Sequence, residues 1–317
     1  MLVHVNEEDR PYFSQKAIRS AHRINEVENF DKDRVVDVLS SIPRTHLRVY
    51  ASLGDDMPLT SWQLVDTACV SGAEIYDCLE RGRFWINIQR IDQLDERYKT
   101  LSANLYADLG KQIAGFAPEY IHSYLLLSSP RTAVNFHLDA YENFFWCIKG
   151  TKSFHLYDID SPVIFSQKHL EEICAGADDF IPYREEFESH SRVIELQPGE
   201  MLSWKQHSPH YTVNHDELNI GLGTFHGTPE SYRRVQNFVA SDYFRRKFPL
   251  LHGSVKHEHL GTALRRNIYG AIQKFWPRPH AAKTVFTTDL RLDPAAACCF
   301  TKIESGPVVA ECNRSAA

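Results

Sequence analysis

The sequence predicts a mainly β protein with helices flanking the strands on both sides. Two observations predict this. From Ile121 to Phe225, short runs rich in aromatic and β-branched residues dominate, cut by turn residues such as Gly150 and Pro198-Gly199. Helical spacing is confined to the stretches before and after, apart from one insert near 167–174. No internal repeat and no long linker divides the 317 residues, so one large domain, with an appendage at most, is expected. The expected division is an N-terminal helical segment with first strands over 1–119, a β core over 120–227, and a C-terminal helical extension and tail over 228–317.

In chain order, residues 1–22 are polar and carry no clear periodicity. Phe30 to Leu39 reads as a capped amphipathic helix, with Asp31 near its start and Pro43 beyond its end. Ser71 to Leu79 suggests a second helix, Phe84 to Ile88 a strand, and 92–114 a longer helix. Thr228-Pro-Glu230 opens another helix, running to about Phe248. Thr228 serves as cap, proline sits in the first turn, and an acid lies beside the positive end of the dipole. Leu260, Leu264, Ile268 and Ile272 recur every fourth residue and mark a last helix. Beyond Trp276-Pro-Arg-Pro279 the chain becomes Ala-rich and loses pattern.

Apolar residues make up 43% of the chain and charged residues 24%, values ordinary for a soluble globule with a sizeable core. A formal charge of −6 offers no basic footprint, so no nucleic-acid partner is expected. No apolar run is long enough for a bilayer, and no basic start leads into one, so neither membrane span nor secretory signal is expected. Seven scattered cysteines, an odd number without metal-ligand spacing, suit a reducing compartment, and a cytoplasmic location is expected. Cys298-Cys299 has no Cys/His cluster beside it that would make a zinc site.

The chemistry concentrates in Asn135-Phe-His137-Leu-Asp139-Ala-Tyr-Glu-Asn143 and the strand after it. Strand side chains alternate faces, so residues two apart point the same way. His137 and Asp139 therefore aim an imidazole and a carboxylate at one point. A third ligand is available in Ser208-Pro-His210, where an apolar segment begins. His207, three residues earlier, competes for that role, while His215 and His226 read as surface or supporting groups. Two histidines and one carboxylate form the facial triad of non-haem Fe(II) oxygenases, which leaves three coordination positions open.

Taken together these segments resemble the JmjC-type cupins, the 2-oxoglutarate-dependent oxygenases. The resemblance rests on His137-x-Asp139, Asn143-Phe-Phe145, Ile148-Lys-Gly150-Thr-Lys152, Leu196-Gln-Pro-Gly-Glu-Met-Leu202 and Pro209-His210-x-x-x-Asn214-x-Asp-Glu217. Bacterial cupin-like proteins of this group also share the Ser128-Ser-Pro-Arg131 lead-in. The match is strong over roughly 120–226, weaker over 22–119 and absent from the tail. It implies a double-stranded β-helix (the cupin/JmjC jelly roll) with N-terminal and C-terminal helices. It also implies Fe(II) and 2-oxoglutarate as cofactors, with His137, Asp139 and His210 as catalytic metal ligands.

The far carboxylate of 2-oxoglutarate needs a cation, because a buried unpaired charge is costly. Many relatives use an arginine on the strand after the distal histidine, but none occurs between His210 and Gly227. Lys152 stands where JmjC hydroxylases place their anchoring lysine. Tyr124 adds a hydroxyl to the same carboxylate, and Asn143 supports the keto-acid end or a metal-bound water. Relatives usually carry Thr or Ser three residues before the first histidine; here that residue is Val134, so another hydroxyl, Tyr124 or Thr132, is expected to substitute. The implied activity is hydroxylation of a C–H bond on a peptide, protein or small molecule. The alternatives are a metal cupin enzyme without 2-oxoglutarate, made plausible by Val134, and a non-catalytic small-ligand sensor. Relatives often dimerise through C-terminal helices, and the Leu260–Ile272 stripe is apolar enough for a homodimer; the same stripe would serve equally to pack the helix on its own β core.

Overall fold

In the computed structural model, which describes residues 1–53, 62–161, 163–164, 166–176, 182–255, 259–275 and 286–308, the first 119 residues supply strands as well as helices. They are β1 (Val3–His4), β2 (Ile18–His22), α1 (Lys32–Ser41), β3 (Leu47–Ser52), β4 (Trp62–Leu64), α2 (Gly72–Arg81), β5 (Phe84–Ile88), α3 (Ile91–Leu94) and α4 (Glu96–Gln112). The Asp31 side chain caps α1, and Ser71 with Glu74 forms a reciprocal capping box on α2. The helix expected over 92–114 is broken at Asp95, whose side chain accepts from the Arg97 N–H and starts α4 afresh.

The β core follows as β6 (Tyr120–Ser128), β7 (Ala133–His137), β8 (Glu142–Lys149), β9 (Lys152–Leu156), the insert α5 (Gln167–Cys174), β10 (Arg192–Leu196), β11 (Glu200–Ser203), β12 (His210–Asn214) and β13 (Asn219–Gly227). Two sheets result. The larger runs β1-β2-β11-β8-β13-β6-β5-β3-β4 and the smaller β10-β9-β12-β7, antiparallel throughout. The eight strands from β6 to β13 divide four and four between the sheets, which is the expected double-stranded β-helix. Phe145, Phe154, Leu156, Ile194, Leu196, Leu202 and Trp204 fill the space between them. The outer face of the larger sheet is buried under α1, α2 and α4, with Val35, Leu39, Ile75, Leu79, Leu105 and Leu109 in one cluster with Leu125, Leu127 and Trp146. Because β8 is covered on both faces it reads as a continuous apolar run, without alternation.

Two glycines are needed here. Gly150 turns β8 into β9 at φ +69, and a Cβ there would lie 2.5 Å from the Leu218 carbonyl oxygen. Gly221 leaves room for the Phe145 ring, which a Cβ would meet at 2.2 Å.

After the core come α6 (Pro229–Lys247) and α7 (Leu260–Phe275). Thr228 and Ser231 cap α6 reciprocally, as the Thr-Pro-Glu opening predicts. On α7 the inward residues are Thr262 and Tyr269, the latter against Tyr243 of α6. The stripe faces outward: Leu260 is 87% exposed, Leu264 57% and Ile268 41%. Its packing is therefore not against its own β core.

Several strands escape sequence reading. In β2 the buried positions are Ile18, Ser20 and His22, so the inward row is largely polar and carries no hydrophobic alternation. The tail, expected to lack pattern, forms a hairpin of β14 (Phe286–Leu292) and β15 (Phe300–Val308). It docks beyond β4, where the Asp66 N–H donates to the Leu290 carbonyl and the Leu292 N–H to that of Asp66. The Trp276-Pro-Arg-Pro279 segment lies outside the described residues.

Candidate metal centre

Antiparallel register builds the site. His137 ends β7, His210 begins β12, and the two are paired directly across the ladder. Their rings lie 4.3 Å apart. Asp139 follows two residues beyond β7, and its Oδ2 is 3.6 Å from His210 Nε2. One donor atom from each of His137, Asp139 and His210 lies within 4.8 Å of the others, and among the described residues this is the one such grouping of three. Sequence reasoning therefore named the three side chains that converge.

Both imidazoles are oriented by their own backbone. The Nδ1 of His137 bonds to the Asn135 carbonyl at 2.6 Å, and that of His210 to the Ser208 carbonyl at 3.1 Å. A carbonyl only accepts, so each Nδ1 donates, which in the neutral imidazole leaves the Nε2 lone pair for a metal. Burial, with His137 alongside, holds the His210 pKa well below its ordinary value. A neutral imidazole is the form a metal requires. Trp204 and Phe154 pack around His210 at ring distances of 5.1 and 6.3 Å and keep water from that side.

His207 stands outside this grouping. It is buried at φ +67, and its Nε2 lies 2.8 Å from the Ala140 carbonyl, beneath the turn that carries Asp139. His215 is on the surface, bonded to Ser153 Oγ at 2.9 Å. His226 is in the core instead, hydrogen-bonded to the Tyr106 hydroxyl at 2.9 Å on the outer side of the larger sheet.

Lys152 lies in the same barrel. It faces Asn214 and Leu196 across β9, on the row that leads through Thr212 to His210. Its side chain is buried, with Nζ 3.4 Å from Ser128 Oγ and 5.1 Å from the Phe145 ring centre. Among the described residues no carboxylate pairs with it. Burial pulls its pKa down to about 8. An ammonium in that setting needs an anion.

Tyr124 stands on the inner face of β6, four residues before Ser128 and edge-on to Phe225 at 4.9 Å. Thr132 is in the turn before β7, where its hydroxyl donates to the Pro130 carbonyl at 3.2 Å. Asn143 is buried on β8 opposite Phe225 and donates through Nδ2 to Asp139 Oδ2. Val134 pairs with Thr212 because β7 carries one extra residue relative to β12 between this pair and the histidine pair. That bulge brings a residue three before His137 onto the histidine's face, where strict alternation would require two. Sequence reasoning missed Asn214, whose Nδ2 donates to the Ser129 carbonyl at 2.8 Å opposite Lys152. The signal was present, since Thr212 and Asn214 are two and four residues after His210 and share its face.

Two nitrogens and a carboxylate oxygen on one face, with both histidine tautomers preset, fit a first-row divalent metal of the iron type. The buried cation deeper in the barrel fits an anionic companion.

Residues 75–204 match the family model described as cupin-like domain. No curated protein matches the sequence. Among solved structures, Escherichia coli YcfD aligns with a TM-score of 0.52 at 14% identity, over 88% of this chain and 70% of that one. A second structure of that protein, described as a ribosomal oxygenase in complex with cobalt and 2-oxoglutarate, aligns with a TM-score of 0.50 at 14% identity, over 88% and 68%. At this identity the likeness is one of fold.

Proposed function

We propose that this chain, which carries a cupin-like domain of the JmjC type, is an Fe(II)- and 2-oxoglutarate-dependent oxygenase that hydroxylates a C–H bond of a peptide, protein or small molecule. The observation that carries this is the convergence of His137, Asp139 and His210 in a barrel whose floor holds the otherwise uncompensated Lys152 ammonium. That the similarly folded YcfD was solved with cobalt and 2-oxoglutarate agrees with it.

In this reading His137 and His210 hold the metal through Nε2 and Asp139 through its carboxylate, on one face. Iron bound there would, with 2-oxoglutarate and O2, supply the oxidising chemistry for hydroxylation, one oxygen atom of O2 entering the C–H bond and the other the succinate formed as carbon dioxide is lost. The chain's own work is positional. Lys152 pairs with the far carboxylate, Tyr124 and Ser128 line the same wall, and Phe145, Phe154, Leu202 and Trp204 exclude water. The test is anaerobic titration with Mn(II) and 2-oxoglutarate, followed by succinate release in air with Fe(II). The reading requires metal-dependent cosubstrate binding and succinate. Metal binding without cosubstrate binding would leave a metal cupin of another kind, and no metal binding a ligand sensor.

Val134 offers a finer check. Val134→Thr puts a hydroxyl on the inner face at nearly constant shape, and one neutral hydrogen bond contributes about 0.5–1.5 kcal/mol. 2-Oxoglutarate affinity should rise by roughly two- to tenfold in calorimetry. An unchanged affinity would show that this position does not face the cosubstrate.

The partner proposal is a homodimer through α7. Its support is the outward stripe of Leu260, Leu264 and Ile268. A stable interface should bury well over ~1,000 Å2. Light scattering is expected to give a dimeric mass for the intact chain and a monomeric mass for Leu264→Glu; a monomer at micromolar concentration in the intact chain would refute it. No described helix is long and apolar enough to cross a membrane. A cytoplasmic location is proposed on the scattered cysteines, an odd total of seven.

A further inference from the structure

We infer that Asn143 is a positioning residue for the Asp139 carboxylate, presetting the ligand oxygen before metal arrives; this rests on the metal-centre reading above. Each histidine ligand is held by the carbonyl two residues before it, on or beside its own strand. Asp139 lies past the end of β7 in a turn, where no ladder fixes it. A tether comes from another element. Asn143 supplies it from the rigid, doubly covered β8, with Nδ2 donating to Asp139 Oδ2, the oxygen that faces His210 Nε2.

The turn is braced from the other side as well. Gln206 Nε2 donates to the Ala140 carbonyl at 2.9 Å, and His207 Nε2 does the same at 2.8 Å. Both side chains are buried, and Gln206 is itself held by Arg234 Nη1 at 3.1 Å. Two buried donors on one carbonyl fix the backbone next to Asp139, and Asn143 then fixes the side chain. A ligand so held loses little conformational freedom when metal binds, which is how groups outside the coordination sphere raise affinity.

The test uses Asn143→Leu, nearly isosteric and without a donor, and Asn143→Ala in case leucine does not fold, each checked by thermal melt. Mn(II) affinity is measured by titration with no cosubstrate present; 2-oxoglutarate affinity is then measured at saturating Mn(II). The expected result is Mn(II) binding weakened about 10- to 100-fold, with cosubstrate affinity at saturating metal within about threefold of the parent. Unchanged Mn(II) affinity, or a loss confined to 2-oxoglutarate, overturns the inference. Asp139→Ala, run alongside, separates this from failure of the metal-centre reading. If that variant still binds Mn(II) like the parent, the centre itself is misassigned; if it does not, an unaltered Asn143→Leu counts against the Asn143 role alone.

Discussion

Asp139→Ala is expected to abolish useful iron binding while leaving the β-helix folded. Two imidazoles remain, but the only anionic ligand of the three is gone. Loss of a supporting contact alone costs about 10- to 100-fold in metal affinity, so loss of the ligand should cost at least that. The fold should survive, because Asp139 sits in a turn outside every hydrophobic cluster. Its removal strands the Asn143 amide, a penalty of about 1–3 kcal/mol for a buried donor. Iron content after reconstitution and a thermal melt together check this. Full iron occupancy in Asp139→Ala would end the assignment, whatever the activity.

Lys152→Ala should leave iron binding intact and weaken 2-oxoglutarate by roughly 2–5 kcal/mol, the range for removing one partner of a buried charge pair. That is about 30- to 5,000-fold in Kd. The pH dependence follows from the same residue. Burial lowers the Lys152 pKa to about 8 in the absence of an anion. Pairing with a carboxylate raises it, so binding takes up a proton above pH 8. Affinity is then fully present below about pH 8 and falls as pH rises through it. The fold itself responds in the opposite sense. Between about 8 and the ordinary lysine value of 10.5 the unfolded chain holds more protons than the folded one, so Lys152 contributes stability that increases with pH over that window. Calorimetric Kd values from pH 6.5 to 9.5, for the parent and Lys152→Ala, check the affinity, and denaturant unfolding of the two proteins up to about pH 10 checks the stability. A parent affinity that is flat in pH and equal to that of the variant would place the anchor elsewhere.

The sequence by itself determined the β core, its flanking helices and the pairing of His137 with Asp139, and it offered His210 ahead of His207 as the third group. Each of these is local. A spacing of two puts His137 and Asp139 on one side, Pro209-His210 opens an apolar strand, and the Thr228 side chain accepts from the Ser231 N–H at the start of α6. Tertiary structure decided the remainder. Whether His207 or His210 is the third ligand depends on cross-strand register, and β12 pairs His210 with His137 while His207 turns under Ala140. Asn143 was expected to support the keto-acid end or a metal-bound water, and β8 places its amide against Asp139, a contact between a strand and a loop that no spacing rule encodes. Val134 shares the histidine's face only because β7 bulges. The strands β2 and β14 are defined by partners more than 170 and more than 220 residues away, Glu200 to Ser203 for the one and Asp66 for the other. Strand propensity reflects the surface a residue packs on, and that surface exists only once the distant partner is in place.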